Sequence, residues 1–176
     1  MPTEAQQFAL VIERIACDII AQLQGVPDET LNTLTPIPDT NTLFALGTHT
    51  VGMGEFWVLA LVGGRPIPRD RSSEFRAHGA GTELITRFEK WIVEVHDLLD
   101  DLPDSMLNQF AEPPAEFRTT GNLGDDRPFS ARDCLLHVVE HSAMHLGHIQ
   151  LTLQMFAAIQ QGLLTSAKAG RLGGAS

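Results

Sequence analysis

The sequence has few cysteines, few basic residues and no long apolar run, and each shortage excludes a class of protein. Cysteine occurs only at Cys17 and Cys134, without Cys-x-x-Cys spacing. We therefore expect reduced, buried thiols rather than a disulfide framework or a redox motif. Lys and Arg number 12 against 22 Asp and Glu, for a formal net charge of −10. This balance argues against nucleic-acid partners and anionic membrane surfaces, because both require a basic footprint.

Further absences bear on location and size. No uninterrupted apolar run reaches membrane-spanning length, so no transmembrane helix is predicted. The opening residues Met1-Pro2-Thr3-Glu4 lack the basic and apolar regions of a signal peptide. We expect a cytoplasmic protein with one domain over residues 1–165, large enough to bury a core without disulfides. Residues 166–176, rich in Gly and Ala, are expected to form a flexible tail.

Apolar residues recur at helical intervals in four segments. Spacings of three and four residues predict helices over residues 3–24, 39–62, 81–101 and 130–163, and Asp39 is expected to cap the second one. Long connections follow the first and third helices, and no strand-like alternation occurs. The pattern predicts an all-α fold, an antiparallel four-helix bundle with long connections after helices 1 and 3.

The connections carry charged and aromatic residues. The segment 65–80 contains Arg65, Arg69 and Arg71. We expect these side chains to be mostly solvated; the alternative is an anion-binding rim able to hold a carboxylate. Three aromatic residues are expected to anchor the segment 103–129 on the helices, and these are Phe110, Phe117 and Phe129.

The last predicted helix concentrates the histidines of the chain. Ser130 and Asp133 have the spacing of a capping box at its start. At about 100° per residue, four imidazoles fall within about 80° of one another. Neutral imidazole is the commonest metal ligand, so this shared face predicts a metal site, although any one of them alone would be an ordinary surface or core histidine. The four are His137, His141, His145 and His148.

A fifth histidine lies in the apolar stripe of the second predicted helix. His49 follows Leu46 by three residues and precedes Met53 by four, so we expect it to face the interior. It is either a hydrogen-bonded core histidine or a metal ligand. Small neighbours, including Gly52 and Gly54, would leave room for a pocket beside it.

Three metal-site patterns can be compared with these residues. The ferritin-like di-iron site requires Glu-x-x-His, which the sequence lacks. The protease pattern His-x-x-Glu-His occurs from His137 to His141, but Glu140 lies about 100° away from the imidazole face. The third pattern takes His141 and His145 from one helix and His49 from another. It leaves an open coordination position for zinc, nickel or ferrous iron.

The histidine stretch resembles the fourth-helix signature of the DinB/YfiT-like family. His141, His145 and Gly147 match that signature, whereas His148 stands where the family usually has Gln. The second helix adds His49 followed by an aromatic pair at Phe56 and Trp57, and the order of the four helices also agrees. The resemblance implies a bundle, often dimeric, with a divalent metal held by three histidines. Some relatives use mycothiol, bacillithiol or glutathione.

Three functions follow as hypotheses. The first is a metal-dependent transferase or isomerase that acts on a small-molecule substrate with a low-molecular-weight thiol, and the resemblance implies a homodimer. In it, His148 and His137 are the catalytic candidates, because they could orient a ligand or move a proton; packing is their alternative role. The second is a metal-dependent hydrolase using the same ligands. The third is a non-catalytic, metal-stabilised, stress-related binding protein.

Overall fold

Four long helical segments dominate the structure, a computed structural model that describes residues 1–111 and 129–163. They are α1 (Glu4–Leu23), α3 (Leu43–Gly54) with a π-helical continuation (Glu55–Val62), α5 (Gly81–Leu99) and α6 (Ala131–Gln160). The shorter elements are α2 (Asp28–Leu31), α4 (Arg71–Glu74), a 3-10 turn (Asp104–Asn108), and an antiparallel ladder of β1 (Phe110–Ala111) and β2 (Phe129–Ser130).

The helix starts follow from capping side chains. The Ser130 hydroxyl accepts a hydrogen bond from the backbone N–H of Asp133, and the Asp133 carboxylate accepts one from the backbone N–H of Ser130. This confirms the predicted capping box. The prediction that Asp39 caps the second helix is wrong: Asp39 has a φ of 60° in the preceding turn. Thr42 caps α3 instead, through a hydrogen bond from the backbone N–H of Ala45.

The apolar faces meet in one core. α1 and α3 each pack against both α5 and α6, which brings the buried stripes of all four segments together. The largest fully buried side chains include Trp91 and Phe88 of α5 and Ile12 and Ile19 of α1. The predicted all-α class is confirmed, with only the two-residue ladder as sheet among the described residues.

The stretch Leu43–Val62 is long and apolar enough to cross a membrane by length and composition. However, 72% of its most apolar window is buried inside the protein. Its apolar residues therefore face other helices, as in the core helix of a soluble protein. This burial brings His49 into the interior, where its side chain meets α6.

Several predictions about single residues are corrected. Phe110 is 72% exposed and does not anchor its segment, whereas Phe129 is buried. Cys17 is exposed, contrary to the expectation of two buried thiols, and Cys134 is buried. Burial, followed by the charge of Asp133, raises the pKa of the Cys134 thiol to about 12. Phe117 and the expected flexible tail 166–176 lie outside the described residues.

Candidate metal centre

Three imidazoles from two helices converge at the interface of α3 and α6. Nε2 of His141 lies 3.0 Å from Nε2 of His49 and 3.0 Å from Nε2 of His145. One donor atom from each ring lies within 4.8 Å of the other two. The structure thus brings together the three residues that the sequence pattern selected, in an arrangement able to hold a metal ion.

Local helix geometry aligns this set. His141 and His145 are one turn apart on α6, so their rings stand one above the other along the same face. The opposing helix α3 supplies His49, which is 2% exposed. His145 is also buried and His141 is half-buried. Packing on both helices therefore restricts the rings before any ligand arrives.

The donor set fits a divalent cation. Ligands at about 2.0–2.1 Å from a tetrahedral zinc are about 3.3 Å apart, close to the nitrogen separations seen here. The Nδ1–H of His49 donates to the Glu74 carboxylate at 2.7 Å. In neutral His49 the lone pair of Nε2 therefore points at the other two rings. Several lone pairs aimed at one point repel unless a proton or a metal lies between them.

The electrostatic surroundings keep the imidazoles of His141 and His145 neutral. Burial, followed by the neighbouring charges of His137 and His49, lowers the pKa of His141 to about 4. Burial, followed by the charges of His141 and His49, lowers the pKa of His145 to about 3. Because metal ligation requires unprotonated imidazole, the Nε2 atoms of His141 and His145 are both available as metal ligands near neutral pH.

The short helix α4 holds His49 on two sides. Glu74 is buried and accepts hydrogen bonds from His49 Nδ1 and from Arg69. The Phe75 ring stacks on His49 with centroids 4.4 Å apart. Burial acts to raise the pKa of Glu74, but the hydrogen bonds from His49 and Arg69 outweigh it and lower that pKa. Glu74 is therefore an ionised acceptor.

Sequence reasoning missed Glu74. It lies in a segment expected to be loop, and a four-residue helix is too short to show periodicity. A usable signal was present, because Asp70 is a preferred N-cap residue. The Asp70 carboxylate does accept hydrogen bonds from the backbone N–H groups of Ser72 and Ser73.

The three loop arginines behave differently from one another. The Arg69 side chain is 6% exposed and pairs with Glu74, so the expectation of a solvated side chain is wrong for it. Arg65 pairs with Glu94 near the surface. Arg71 is exposed, and its guanidinium carbon lies 5.0 Å from the centroid of the Phe75 ring. Of these three arginines, Arg71 is the one that remains available as a rim cation next to the histidines.

The two remaining histidines of α6 flank the cluster. His137 is buried. The centroid of its ring lies 4.5 Å from that of Trp57 and 5.1 Å from that of His141. His148 is exposed, and its Nδ1 lies 3.4 Å from Nδ1 of His145. Neither contributes to the converging donor set, and their roles as catalytic candidates stay predictions.

Glu140 does not take the role of a protease base. It is exposed, as its angular offset from the imidazole face predicts. His137 and His141 therefore do not form a two-histidine site with an adjacent carboxylate. The protease pattern in the sequence results from helical neighbours that point in different directions.

Comparison with known proteins bears on this arrangement. A model of the DinB superfamily matches residues 13–149. A conserved protein from Enterococcus faecalis has a similar structure, with a TM-score of 0.69, 13% sequence identity, and coverage of 90% of this chain and 99% of that one. A DinB-like protein from Bacillus cereus matches with a TM-score of 0.55, 18% identity, and coverage of 92% and 91%. At these identities the likeness concerns the fold. No curated protein sequence matches.

Proposed function

Because the chain belongs to the DinB superfamily, a metal-binding group, we propose that it is a divalent-metal-dependent transferase or isomerase using a low-molecular-weight thiol. The observation that carries the proposal is the convergence of Nε2 atoms from His49, His141 and His145. Three protein ligands leave a coordination position for an exchangeable molecule, whereas a structural zinc site has four.

The proposed frame is an antiparallel four-helix bundle, with long connections after its first and third helices, in a single cytoplasmic domain. The substrate is a small molecule, since an acidic chain offers no basic footprint for nucleic acid. We propose a homodimer as the assembly. Its support is an exposed apolar row on α6, formed by Leu136, Met144 and Leu151. Met144→Lys should then shift the mass measured by light scattering from dimer to monomer.

His49, His141 and His145 would hold zinc, nickel or ferrous iron. When bound, such a metal favours the thiolate form of a thiol and so keeps it nucleophilic near neutral pH. The chain itself keeps the donors ready: burial excludes protons from His141 and His145, and Glu74 turns the lone pair of His49 toward them.

His148 and His137 take separate roles. His148 is exposed and contacts His145, so it can take the thiol proton at its ring nitrogen and pass it to water. His137 packs between Trp57 and His141. It closes the buried end of the cluster and limits the tilt of the His141 ring. His148 thus acts on protons and His137 on orientation.

Metal analysis of purified variants tests the ligand set. Stoichiometric metal should be lost in each of His49→Ala, His141→Ala and His145→Ala, because the two imidazoles that remain are rarely enough to hold a metal ion. His78→Ala is the matched control, since His78 is exposed and outside the cluster. Metal that remains stoichiometric in the His141 variant would overturn the assignment.

A cobalt-substituted protein tests the thiol. Thiolate binding should add an intense charge-transfer band when mycothiol, bacillithiol or glutathione is titrated, and none should appear with the matching alcohol. Turnover of thiol-plus-electrophile mixtures should accompany the band. Turnover of esters or phosphoesters without thiol would favour the hydrolase. Metal-dependent stability without turnover on either panel would favour the non-catalytic binding protein.

A further inference from the structure

The carboxylate of Glu74 touches the metal-site histidine that comes from outside α6. It accepts a hydrogen bond from Nδ1 of His49 at 2.7 Å, on the ring edge opposite the cluster. Arg69 binds the same carboxylate through Nε at 2.8 Å and Nη2 at 3.0 Å. Glu74 is thus fixed by a two-pronged ion pair and cannot rotate freely.

The helix wall beside Glu74 is open only because residue 52 is glycine. A Cβ at Gly52 would lie 2.8 Å from Oε1 of Glu74 and 3.4 Å from Nη2 of Arg87. The first distance is shorter than any normal contact, and Oε1 is held by Arg69. A side chain at position 52 would therefore push the carboxylate away from His49, which lies on the same helix three residues earlier.

We propose that Glu74 is the positioning residue of the metal centre. Arg69 fixes its carboxylate, and the absence of a side chain at Gly52 leaves room for it. Glu74 holds His49 in its Nδ1–H tautomer and aims Nε2 at His141. The inference rests on the proposed function for the identity of the ligand, but the tautomer is a property of the protein alone. Partners of this kind raise ligand basicity and fix ring orientation in metal sites.

The ring of His49 needs residues from outside α3 to hold its orientation. His141 and His145 are oriented by one rigid helix and by each other. His49 stands alone on α3, so its ring angle depends on what binds Nδ1 and what covers its face. Glu74 supplies the first and Phe75, stacked at 4.4 Å, supplies the second.

The chain offers a matched control. Glu55 and Glu74 line the same cavity of about 220 Å³, and each carboxylate is paired with one arginine. Glu55 binds Arg87 through both oxygens, and none of its described hydrogen bonds involves a histidine. Glu55→Gln therefore repeats the loss of a charge in this cavity without altering the contact to His49.

The test measures zinc affinity by chelator competition in the full chain. Glu74→Gln and Gly52→Ala should each weaken binding by about 10- to 100-fold with one zinc still bound per chain, whereas Glu55→Gln should match the wild type. Affinities of Glu74→Gln and Gly52→Ala within twofold of the wild type would overturn the inference.

A second measurement decides the question even where a variant does not fold. Long-range nitrogen-15 NMR of the wild-type, zinc-free protein should show His49 protonated at Nδ1 and bare at Nε2. The opposite tautomer would overturn the inference. If the wild type binds no zinc but His49 has the expected tautomer, the proposed function fails and the positioning by Glu74 stands.

Discussion

Gly54 packs directly against the indole ring of Trp91, and a Cβ on Gly54 would overlap that ring. The ring is 1% exposed and belongs to the core of α5. Neither side can yield, because the contact joins a helix backbone to a rigid aromatic group. Close approach of α3 and α5 therefore depends on glycine at this position.

Gly54→Ala should destabilise the protein. Overpacking of a filled core costs about 1–3 kcal/mol in the free energy of unfolding, measurable by urea denaturation. Gly147→Ala in α6 is the control, since a Cβ there meets nothing within 4 Å and alanine is favoured over glycine in a helix by about 0.5–1 kcal/mol. Equal stabilities for the two variants would show that the overlap is relieved at no cost.

Removal of metal should lower the melting temperature. A cation bound by His49 of α3 and by two histidines of α6 joins two helices only in the folded state. At a free concentration 100 times the dissociation constant, it adds about 2.7 kcal/mol to stability. Scanning calorimetry with and without chelator checks this, and the difference should vanish in His145→Ala.

The metal-free protein should lose stability as the pH falls below about 6.5, the usual histidine pKa. The folded pKa values of His141 and His145 are about 4 and about 3. Between these values and 6.5, the unfolded chain binds protons that the folded chain does not, so acid favours unfolding. Urea denaturation from pH 7.5 to 5 should show a shallower slope for His141→Gln than for the wild type.

His96 should have the opposite pH dependence. Burial acts to lower its pKa, but hydrogen bonds to Asp100 and to Glu13 of α1 outweigh it and raise that pKa. The stabilising contact is complete below about pH 6.5 and is lost as the pH rises through the raised value. His96→Gln should cost at most about 1 kcal/mol at pH 5.5 and little at pH 9, by urea denaturation. A constant difference across this range would show that the contact is not ionic.

Helical periodicity was sufficient to predict the elements that carry the site. The spacing of His141 and His145 and the place of His49 in an apolar stripe determine which way the three rings point. Their convergence follows once α3 and α6 pack together. Periodicity placed four histidines on one face of α6, and the choice of His141 and His145 among them rested also on the resemblance to the DinB/YfiT-like family.

Features set by tertiary contacts could not be predicted in the same way. Glu74 lies in a one-turn helix whose position depends on its contacts with α3. Phe110 looked like an anchor because of its size, yet its ring is solvent-exposed. Asp39 and Thr42 are both good caps, and only the backbone turn at Asp39 decides between them.

The helix that begins at Leu43 has two angular phases of its side chains, one in the α-helical part that ends at Gly54 and one in the π-helical segment Glu55–Val62. A π-turn takes one residue more than an α-turn, so side chains after Gly54 are rotated relative to those before it. The first phase is constrained by His49 and its partners across α6. The second is constrained by Trp57 against Phe129 and His137. One continuous helix can therefore direct His49 toward the metal-site histidines and Trp57 toward Phe129 and His137.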